Sequence, residues 1–351
     1  MSSRTRMSST AAALLGLVVL FATPASAAEV VLRFGSISTE NTAPYDQVLV
    51  PFARAVEEES GGRIEVALKP LGGYGKPAEL FTMVEKGAIE MAASVQGYHP
   101  GRFPQSSVME LPFMFDNSIA GTSAMMSLYK EGLLDKDYAS VKVLGLYVLP
   151  PYPIFTTGKK IQSVRDFRGL RMRTPSTTVG VALAKLGAVP LGIPLNMIGD
   201  TIASGYVDAI AYGWDSTTTT KGTAGKVLAD QLNVVIDARL AAPALMIVMN
   251  RATWDAMPAD LRKIIEKHSS DIAMGSARIR EAQEAVSKKK LQNDPRFTAL
   301  TFNDQQRAEL QVVTAPAVAE WKANMAKLGI DGERLYTRAR ELVQQYKVAT
   351  K

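Results

Sequence analysis

The sequence predicts a two-lobed α/β protein in which crossing strands form a hinge and one long helix spans both lobes. Two patterns support this prediction. Strand and helix signals alternate in two separate runs along the first two thirds of the chain, which is typical of mostly parallel sheets covered by helices. The last third carries one apolar stripe at helical spacing. The chain has 351 residues, of which 47% are hydrophobic, and this is enough to build two lobes with substantial cores.

The first alternating run begins with a strand candidate over residues 30–37. The helix that follows is marked by Val48, Phe52 and Val56, which recur every four residues on one face. The segment 60–63, Ser-Gly-Gly-Arg, ends this helix, because glycine tolerates the left-handed cap conformation. The remaining elements of this run are a strand at 64–68, a helix at 78–86 and a strand at 89–95.

The second alternating run starts after Pro150 and Pro151 and ends in a strand that leads into Gly213 and Trp214. Its predicted elements are helices at 163–167, 178–186 and 198–204 and extended segments at 170–173, 189–193 and 207–212. A further strand at 241–250 returns the chain to the first lobe, so that strands cross between the two lobes.

The C-terminal third is predicted to be mostly helical. Pro258 suits the first turn of a helix. From Leu261 to Val286 apolar and small residues, with His268 among them, alternate in steps of four and three. This pattern predicts one continuous face over roughly 25 residues, about 40 Å at 1.5 Å per residue, which is long enough to lie across both lobes.

Residues 1–27 have the features of an export signal. Arg4 and Arg6 form a basic start, residues 11–21 are apolar and residues 25–27 form an A-x-A cleavage site, so the mature chain is expected to begin near Ala28. The apolar segment is shorter than the roughly 20 residues that span a bilayer. No cysteine follows it that could carry a lipid anchor. We therefore expect a periplasmic protein that is not itself membrane-anchored.

Charge and cysteine content exclude further classes. The formal charge of +6 falls to +4 once the two arginines of the signal are removed, with 38 basic and 34 acidic residues remaining. The charges are mixed along the chain, whereas nucleic-acid binders concentrate Lys and Arg on one face. The absence of cysteine excludes disulfides, thiolate metal sites and a nucleophilic thiol.

The inventory of catalytic residues is small. The chain has two histidines. His99 lies in a loop with no acidic residue near it in sequence that would orient it, and the position of His268 on the apolar stripe is more typical of a packed histidine than of a catalytic one. No G-x-S-x-G elbow, H-E-x-x-H helix, phosphate-binding loop or dinucleotide fingerprint is present. A pair of carboxylates remote in sequence stays open as an alternative, but nothing in the sequence specifically supports one.

Residues suited to ligand recognition lie where strands end, which is where parallel α/β sheets bind ligands. Arg173 closes the strand 170–173, and its planar fork can hold a carboxylate through two parallel hydrogen bonds. From the strand pattern alone, the interpretation of Arg173 as an exposed surface residue has as much support as the interpretation of it as a ligand-binding residue. Tyr212, Trp214 and Asp215 follow the next strand, either as a cleft rim or, for the aromatic residues, as part of the core.

Six segments together resemble the solute-binding proteins of tripartite ATP-independent periplasmic (TRAP) transporters, of the dicarboxylate-binding-protein (DctP) type. Each segment alone is weak evidence for the family, but the order and spacing of the six together are specific. The resemblance covers nearly the whole mature chain. They are residues 60–63 (SGGR), 84–89 (VEKGAI), 110–115 (ELPFMF), 166–175 (DFRGLRMRTP), 205–208 (GYVD) and 247–258 (IVMNRATWDAMP).

The resemblance implies a periplasmic-binding-protein-like fold that closes around an organic acid and delivers it to a membrane permease with one small and one large integral subunit. It implies no enzyme activity, no ATP and no covalent cofactor. It makes Arg173 the residue that binds the ligand carboxylate. The other positions carried over to the cleft are Ser176, Gln96, Tyr98, Tyr212, Trp214 and Asp215. The expected first lobe is 28–150, completed by about 240–280, and the second is 151–239, completed by about 281–351.

Two departures from the family pattern bear on the ligand. Members that bind sugar acids carry a second arginine where this chain has residues 152–155 (YPIF), and an amide-rich segment where it has 211–214 (AYGW). Residues 97–104 and 214–215 resemble the branch that takes aromatic or 2-oxo monocarboxylates. We therefore expect a monocarboxylate ligand, with aromatic and 2-oxo acids as candidates.

Several alternatives remain from the sequence. The first is a C4-dicarboxylate or sugar-acid receptor of the same family. A receptor for an ATP-driven importer and a secreted enzyme acting on organic acids are less favoured. No metal site is predicted, although Asp215 could ligate a cation beside the ligand, as occurs in some relatives.

Overall fold

The computed structural model describes residues 28–215 and 222–349, and the predicted signal peptide at 1–27 lies outside them. Eleven strands are defined within these ranges. They are β1 Val30–Ser36, β2 Ile64–Lys69, β3 Met91–Val95, β4 Val141–Val148, β5 Ile154–Thr156, β6 Arg171–Thr174, β7 Val189–Gly192, β8 Ala209–Ala211, β9 Val234–Asp237, β10 Ala244–Asn250 and β11 Thr298–Thr301.

The helices of the described residues surround two separate sheets. They are α1 Val50–Glu59, α2 Leu80–Glu85, α3 Ser118–Lys130, α4 Asp135–Tyr138, α5 Thr177–Lys185, α6 Ile198–Ala203, α7 Gly222–Gln231, α8 Arg251–Ala256, α9 Ala259–Ser269, α10 Ile272–Gln292, α11 Asp304–Lys327 and α12 Gly332–Ala349. Within the described part of the chain, no helix is long and apolar enough to cross a membrane.

The first lobe is built on a five-stranded sheet in the order β2-β1-β3-β10-β4. Strands β2, β1 and β3 are parallel, as the alternating pattern predicted, and α1 packs on β2. Strands β10 and β4 extend the sheet in an antiparallel arrangement. All seven residues of β10 are buried, and the strand lies inside the sheet between β3 and β4.

The second lobe is built on a six-stranded sheet in the order β11-β9-β5-β8-β6-β7. The chain enters this lobe from β4 to β5 and leaves it from β9 to β10, so two strand connections cross between the sheets. The predicted two-lobed α/β fold with crossing strands is therefore confirmed.

The predicted long helix is divided at Ser270 and Asp271. The Ser270 hydroxyl donates to the Lys267 carbonyl over 2.7 Å and so ends α9, and α10 then starts at Ile272. The predicted stripe is wrong at its far end, because Val286 is 69% exposed. Helix α10 contacts α3 and β4 of the first lobe and β11 of the second, so it spans both lobes as predicted.

The last two helices divide between the lobes. Helix α11 packs on α5 of the second lobe, whereas α12 packs on α3 of the first. Leu335 and Leu342 of α12 are buried in the first lobe's core. The assignment of all of 281–351 to the second lobe is therefore wrong for α12, which returns across the molecule after the turn at Gly329.

Candidate functional site

A cavity of about 290 Å³ lies between the two lobes. Its wall is mostly apolar and aromatic, with a few polar side chains, which is the usual composition of a small-molecule site. The lining residues of the first lobe are Ile37, Ser38, Thr39, Thr42, Leu71, Val95, Tyr98, Leu149 and Leu245. Those of the second lobe, and of the segment that leads into it, are Tyr152, Arg173, Pro175, Leu195, Asn196, Tyr212 and Asp215. Helix α10 contributes Arg280.

Arg173 lies in the wall of this cavity and is 1% exposed. Its Nε donates to the Ile193 carbonyl over 2.9 Å and its Nη1 to the Ala211 carbonyl over 2.9 Å. Its Nη2 donates to the Tyr98 hydroxyl over 3.3 Å. Guanidinium has five N–H groups, so one on each terminal nitrogen has no partner among the described residues.

The sheet topology explains how Arg173 is held. Strand β6 lies between β7 and β8 and runs parallel to both, so the carboxyl ends of the three strands meet at one edge. Ile193 follows β7 and Ala211 closes β8. The two carbonyls therefore fix the guanidinium across this edge, where a parallel sheet places its ligand.

Tyr98 joins the two lobes at the cavity. It belongs to the first lobe, yet its hydroxyl accepts from the Leu195 backbone N–H over 3.2 Å as well as from Arg173. Beside it, the Cα of Gly97 lies against Pro175 and Ser176 of the second lobe. The structure therefore has its lobes closed around the cavity.

Two tyrosines form an aromatic part of the wall. The rings of Tyr152 and Tyr212 meet edge to face with centroids 6.1 Å apart, and the Arg173 guanidinium lies 5.6 Å from the Tyr212 ring centre. Burial raises the pKa of Tyr152 well above its usual range, so its phenol stays neutral. Tyr152 was identified in the sequence only as a departure from the sugar-acid pattern, and the structure places it in the cavity.

The cavity also contains an ion pair that the sequence analysis missed. Arg280 Nη1 lies 3.1 Å from Asp215 Oδ2, with side chains 20% and 16% exposed. Among the described lining residues the charged ones are Arg173, Asp215 and Arg280, which gives the wall a net charge of one positive unit. Asp215 thus has a cationic side chain beside it. No group of three or more His, Asp or Glu among the described residues could hold a metal.

Three of the seven predicted site residues do not line this cavity. Trp214 is 1% exposed and packs edge to face on Phe155 in the core of the second lobe, with ring centroids 6.3 Å apart. Gln96 donates from Nε2 to the Tyr138 hydroxyl over 2.6 Å. Ser176 caps α5 by accepting from the Val179 N–H over 3.2 Å.

Local geometry explains these differences. Gln96 and Tyr98 belong to one 3₁₀ turn, in which residues two apart point in different directions, so only Tyr98 reaches the cavity. Strand β8 ends at Ala211, so strand alternation does not continue to Trp214. Gln96 and Ser176 instead line a separate cavity of about 250 Å³ on the other side of Gly97.

A buried carboxyl group lies on that other side. Glu110 is 3% exposed, accepts from the Ala244 N–H over 2.9 Å and is hydrogen-bonded to the Ser176 side chain. Burial raises its pKa to about 7, and the two hydrogen bonds oppose this rise. Glu110 therefore connects the first lobe, the returning strand β10 and the start of α5.

Neither histidine is arranged for catalysis. His99 is buried against Phe81 and Phe103, and this burial lowers its pKa to about 4. His268 Nε2 lies 2.7 Å from a Glu59 carboxylate oxygen at the surface, and His268 does not line the cavity. The ring packing of His99 and the contact of His268 with Glu59 both contribute to the packing of the fold.

The chain matches the sequence model of DctP, bacterial extracellular solute-binding protein family 7, over residues 34–324. Among curated proteins, it is 25% identical over 303 residues to the C4-dicarboxylate-binding periplasmic protein DctP of Rhodobacter capsulatus, covering 84% of this chain and 86% of the relative.

Solved structures of TRAP solute-binding proteins share the fold. One from Rhodoferax ferrireducens, in complex with copurified benzoate, is 28% identical with a TM-score of 0.84 and covers 92% of this chain and 99% of that one. Another, from a marine metagenome and described as specific for aromatic acid ligands, holds 3-hydroxybenzoate. It is 25% identical with a TM-score of 0.82, covering 91% of this chain and 99% of that one.

Proposed function

Since the chain belongs to the DctP family of TRAP solute-binding proteins, we propose that it is a periplasmic receptor for an aromatic monocarboxylate, which it delivers to a TRAP membrane permease. The family consists of solute-binding receptors rather than enzymes. The observation that carries the proposal is Arg173, a buried cation in the wall of an aromatic interlobe cavity with one unpartnered N–H on each terminal nitrogen among the described residues.

The ligand carboxylate binds the two terminal nitrogens of Arg173. Parallel N–H···O bonds from both nitrogens match the two oxygens of a carboxylate. Each charged hydrogen bond contributes about 1.5–3 kcal/mol. Because Arg173 is held by two carbonyls before the ligand arrives, little side-chain entropy is lost on binding.

The charge of the wall favours a monoanion. Arg173 and Arg280 together with Asp215 leave one positive charge for the ligand to neutralise. A second carboxylate on the ligand would remain uncompensated and would lie in the same small cavity as Asp215. Burying an uncompensated charge costs several kcal/mol, so dicarboxylates are disfavoured.

The apolar lining favours an aromatic ring over a sugar. Tyr152 and Tyr212 offer ring edges and faces, and Ile37, Val95 and Leu149 add aliphatic surface. A ring buried there gains about 25 cal/mol per Å² of apolar area, whereas sugar hydroxyls would need many more polar partners. The two solved relatives that hold benzoate and 3-hydroxybenzoate support the same choice.

Binding is coupled to closure of the lobes about the crossing strands. The Tyr98 hydroxyl, which bonds Arg173 and the Leu195 N–H, connects the lobes at the ligand cavity. A ligand that stabilises these contacts shifts the population to the closed form. The closed form is then the state that the permease recognises.

Titration calorimetry with benzoate tests the role of Arg173. Arg173→Met is expected to weaken binding at least about 100-fold, because two charged hydrogen bonds are lost. Arg173→Lys keeps the charge without the fork and is expected to lose less. Arg171→Met is the matched control, since Arg171 lies two residues earlier on β6 and pairs with Asp208 outside the cavity. Circular dichroism checks that each variant is folded at the assay temperature. Unchanged benzoate affinity in folded Arg173→Met would refute the assignment.

A C4-dicarboxylate ligand is the second candidate. The observation in its favour is the name of the Rhodobacter capsulatus relative. Tighter binding of succinate than of benzoate to the wild-type protein would select it.

A further inference from the structure

We propose that Asp215 and Arg280 form a second polar subsite, which recognises a hydroxyl substituent on the ring of the bound acid. This inference rests on the proposed function, because it assigns the carboxylate to Arg173 and the ring to the cavity between the lobes. It narrows the ligand class to hydroxy-substituted aromatic monocarboxylates.

The pair is placed to meet a ligand. Asp215 lies four residues beyond the end of β8, and Arg280 lies in the middle of the spanning helix α10. Both side chains line the same cavity as Arg173, and each is mostly shielded from solvent. Hydrogen bonds in such a shielded site discriminate between ligands more strongly than bonds at an open surface.

The two side chains offer complementary groups. A hydroxyl accepts a hydrogen bond from a guanidinium N–H and donates one to a carboxylate oxygen, and here Arg280 Nη1 already donates to Asp215 Oδ2 over 3.1 Å, so the two charged groups lie side by side. Among the described residues, Nε of Arg280 has no hydrogen-bond partner, so the protein leaves much of this guanidinium's donor capacity unused. A hydroxyl can donate to Asp215 and accept from Arg280 at the same time.

Other substituents fit this pair less well. A second carboxylate would be repelled by Asp215, and a methyl group would desolvate both charges without replacing their hydrogen bonds. An ether oxygen could accept from Arg280 but could donate nothing to Asp215. Of these groups, the hydroxyl alone satisfies both partners.

Titration calorimetry with benzoate and the three hydroxybenzoate isomers tests the subsite. One isomer is expected to bind the wild-type protein at least about tenfold more tightly than benzoate, as one hydrogen bond to a charged group implies. The corresponding methoxybenzoate, which cannot donate, is expected to lose this gain. This comparison needs no variant.

Asp215→Asn is expected to reduce the hydroxybenzoate gain to less than about threefold. Benzoate itself should bind more tightly, because the wall then carries a further positive charge. The matched control is Asp208→Asn, which removes the carboxylate of a similar ion pair with Arg171 outside the cavity and should leave the gain unchanged. Arg280→Lys, which keeps the charge and a donor, should retain part of the gain.

The outcomes separate this inference from the proposed function. Equal binding of benzoate and every isomer, or a gain that survives in Asp215→Asn, would overturn the subsite while leaving the receptor for aromatic acids in place. Failure of benzoate and of all three isomers to bind the wild-type protein would overturn both.

Discussion

Gly97 lies where the two lobes touch, and replacing it with alanine should hinder closure. A Cβ at this position would lie 2.3 Å from Ser176 Cβ, 2.4 Å from the Pro175 carbonyl oxygen and 2.8 Å from Ser176 Cα. These atoms belong to the backbone or are attached directly to it, so no side-chain rotation relieves the clash. Gly97 has no positive φ, so alanine is compatible with the local backbone once the lobes are apart.

The hydrogen bonds between the two lobes near Gly97 set the size of the effect on ligand affinity. Ordinary carbon contacts begin at 3.4 Å, so the lobes must separate by about 1 Å at this point. Such a shift takes the Tyr98 hydroxyl, now 3.2 Å from the Leu195 nitrogen and 3.3 Å from Arg173 Nη2, out of hydrogen-bond range. Two such bonds contribute about 2 kcal/mol, which corresponds to a Kd about 30-fold weaker.

The assay is calorimetric titration with benzoate, accompanied by thermal melts of the ligand-free proteins. Gly97→Ala should bind about 30-fold more weakly than wild type while its ligand-free melting temperature stays nearly unchanged. Gly192→Ala is the matched control, because a Cβ there meets no atom within 4 Å and its φ is ordinary. Benzoate binding by Gly97→Ala with wild-type affinity would refute the argument that the lobes close at Gly97 when ligand binds.

Two further predictions concern buried groups. Because burial raises the pKa of Glu110 from 4.5 in the unfolded chain to about 7, the folded state binds this proton more tightly. The free energy of unfolding should therefore fall by up to about 3 kcal/mol as pH rises from 4.5 to 7. Urea melts of Glu110→Gln should show a smaller fall over the same pH range. The same dependence on pH in the wild-type protein and in Glu110→Gln would contradict this. Trp214→Ala should lower the free energy of unfolding by about 3–5 kcal/mol in urea melts, whereas Tyr212→Leu should mainly weaken benzoate binding. Equal effects of both variants on benzoate affinity in folded protein would contradict their different placement.

The sequence predicted the parallel parts of the fold because their signals are local. Strands β1 to β3 and β6 to β8 are short segments that alternate with helices along the chain, and helices α1 and α5 between them each bury one apolar face. Helix α3 gave no such signal, since small residues such as Ala120, Gly121 and Thr122 are buried around much of its surface. Strand β4 is almost entirely buried and therefore lacks alternation.

The binding site was predictable only in part. The strand pattern indicated Arg173 only as a candidate, and the family resemblance favoured it over a surface arginine; the structure places it in the cavity wall. Arg280 could not be predicted from the sequence, because it lies more than 60 residues from Asp215, and helix packing alone brings the two together. Trp214 was assigned to the cleft through the family resemblance, whereas the chain turns the indole into the second lobe's core.

The central claim is that the cavity at Arg173 selects an aromatic monocarboxylate. Calorimetric titration of the mature protein, stripped of copurified ligand, with benzoate, succinate and galacturonate tests it most directly. We predict one benzoate bound per chain, with a Kd of about 1 µM or lower, about −8 kcal/mol, and binding of the other two acids at least about tenfold weaker. Tighter binding of succinate or galacturonate, or no binding of benzoate, would contradict the account.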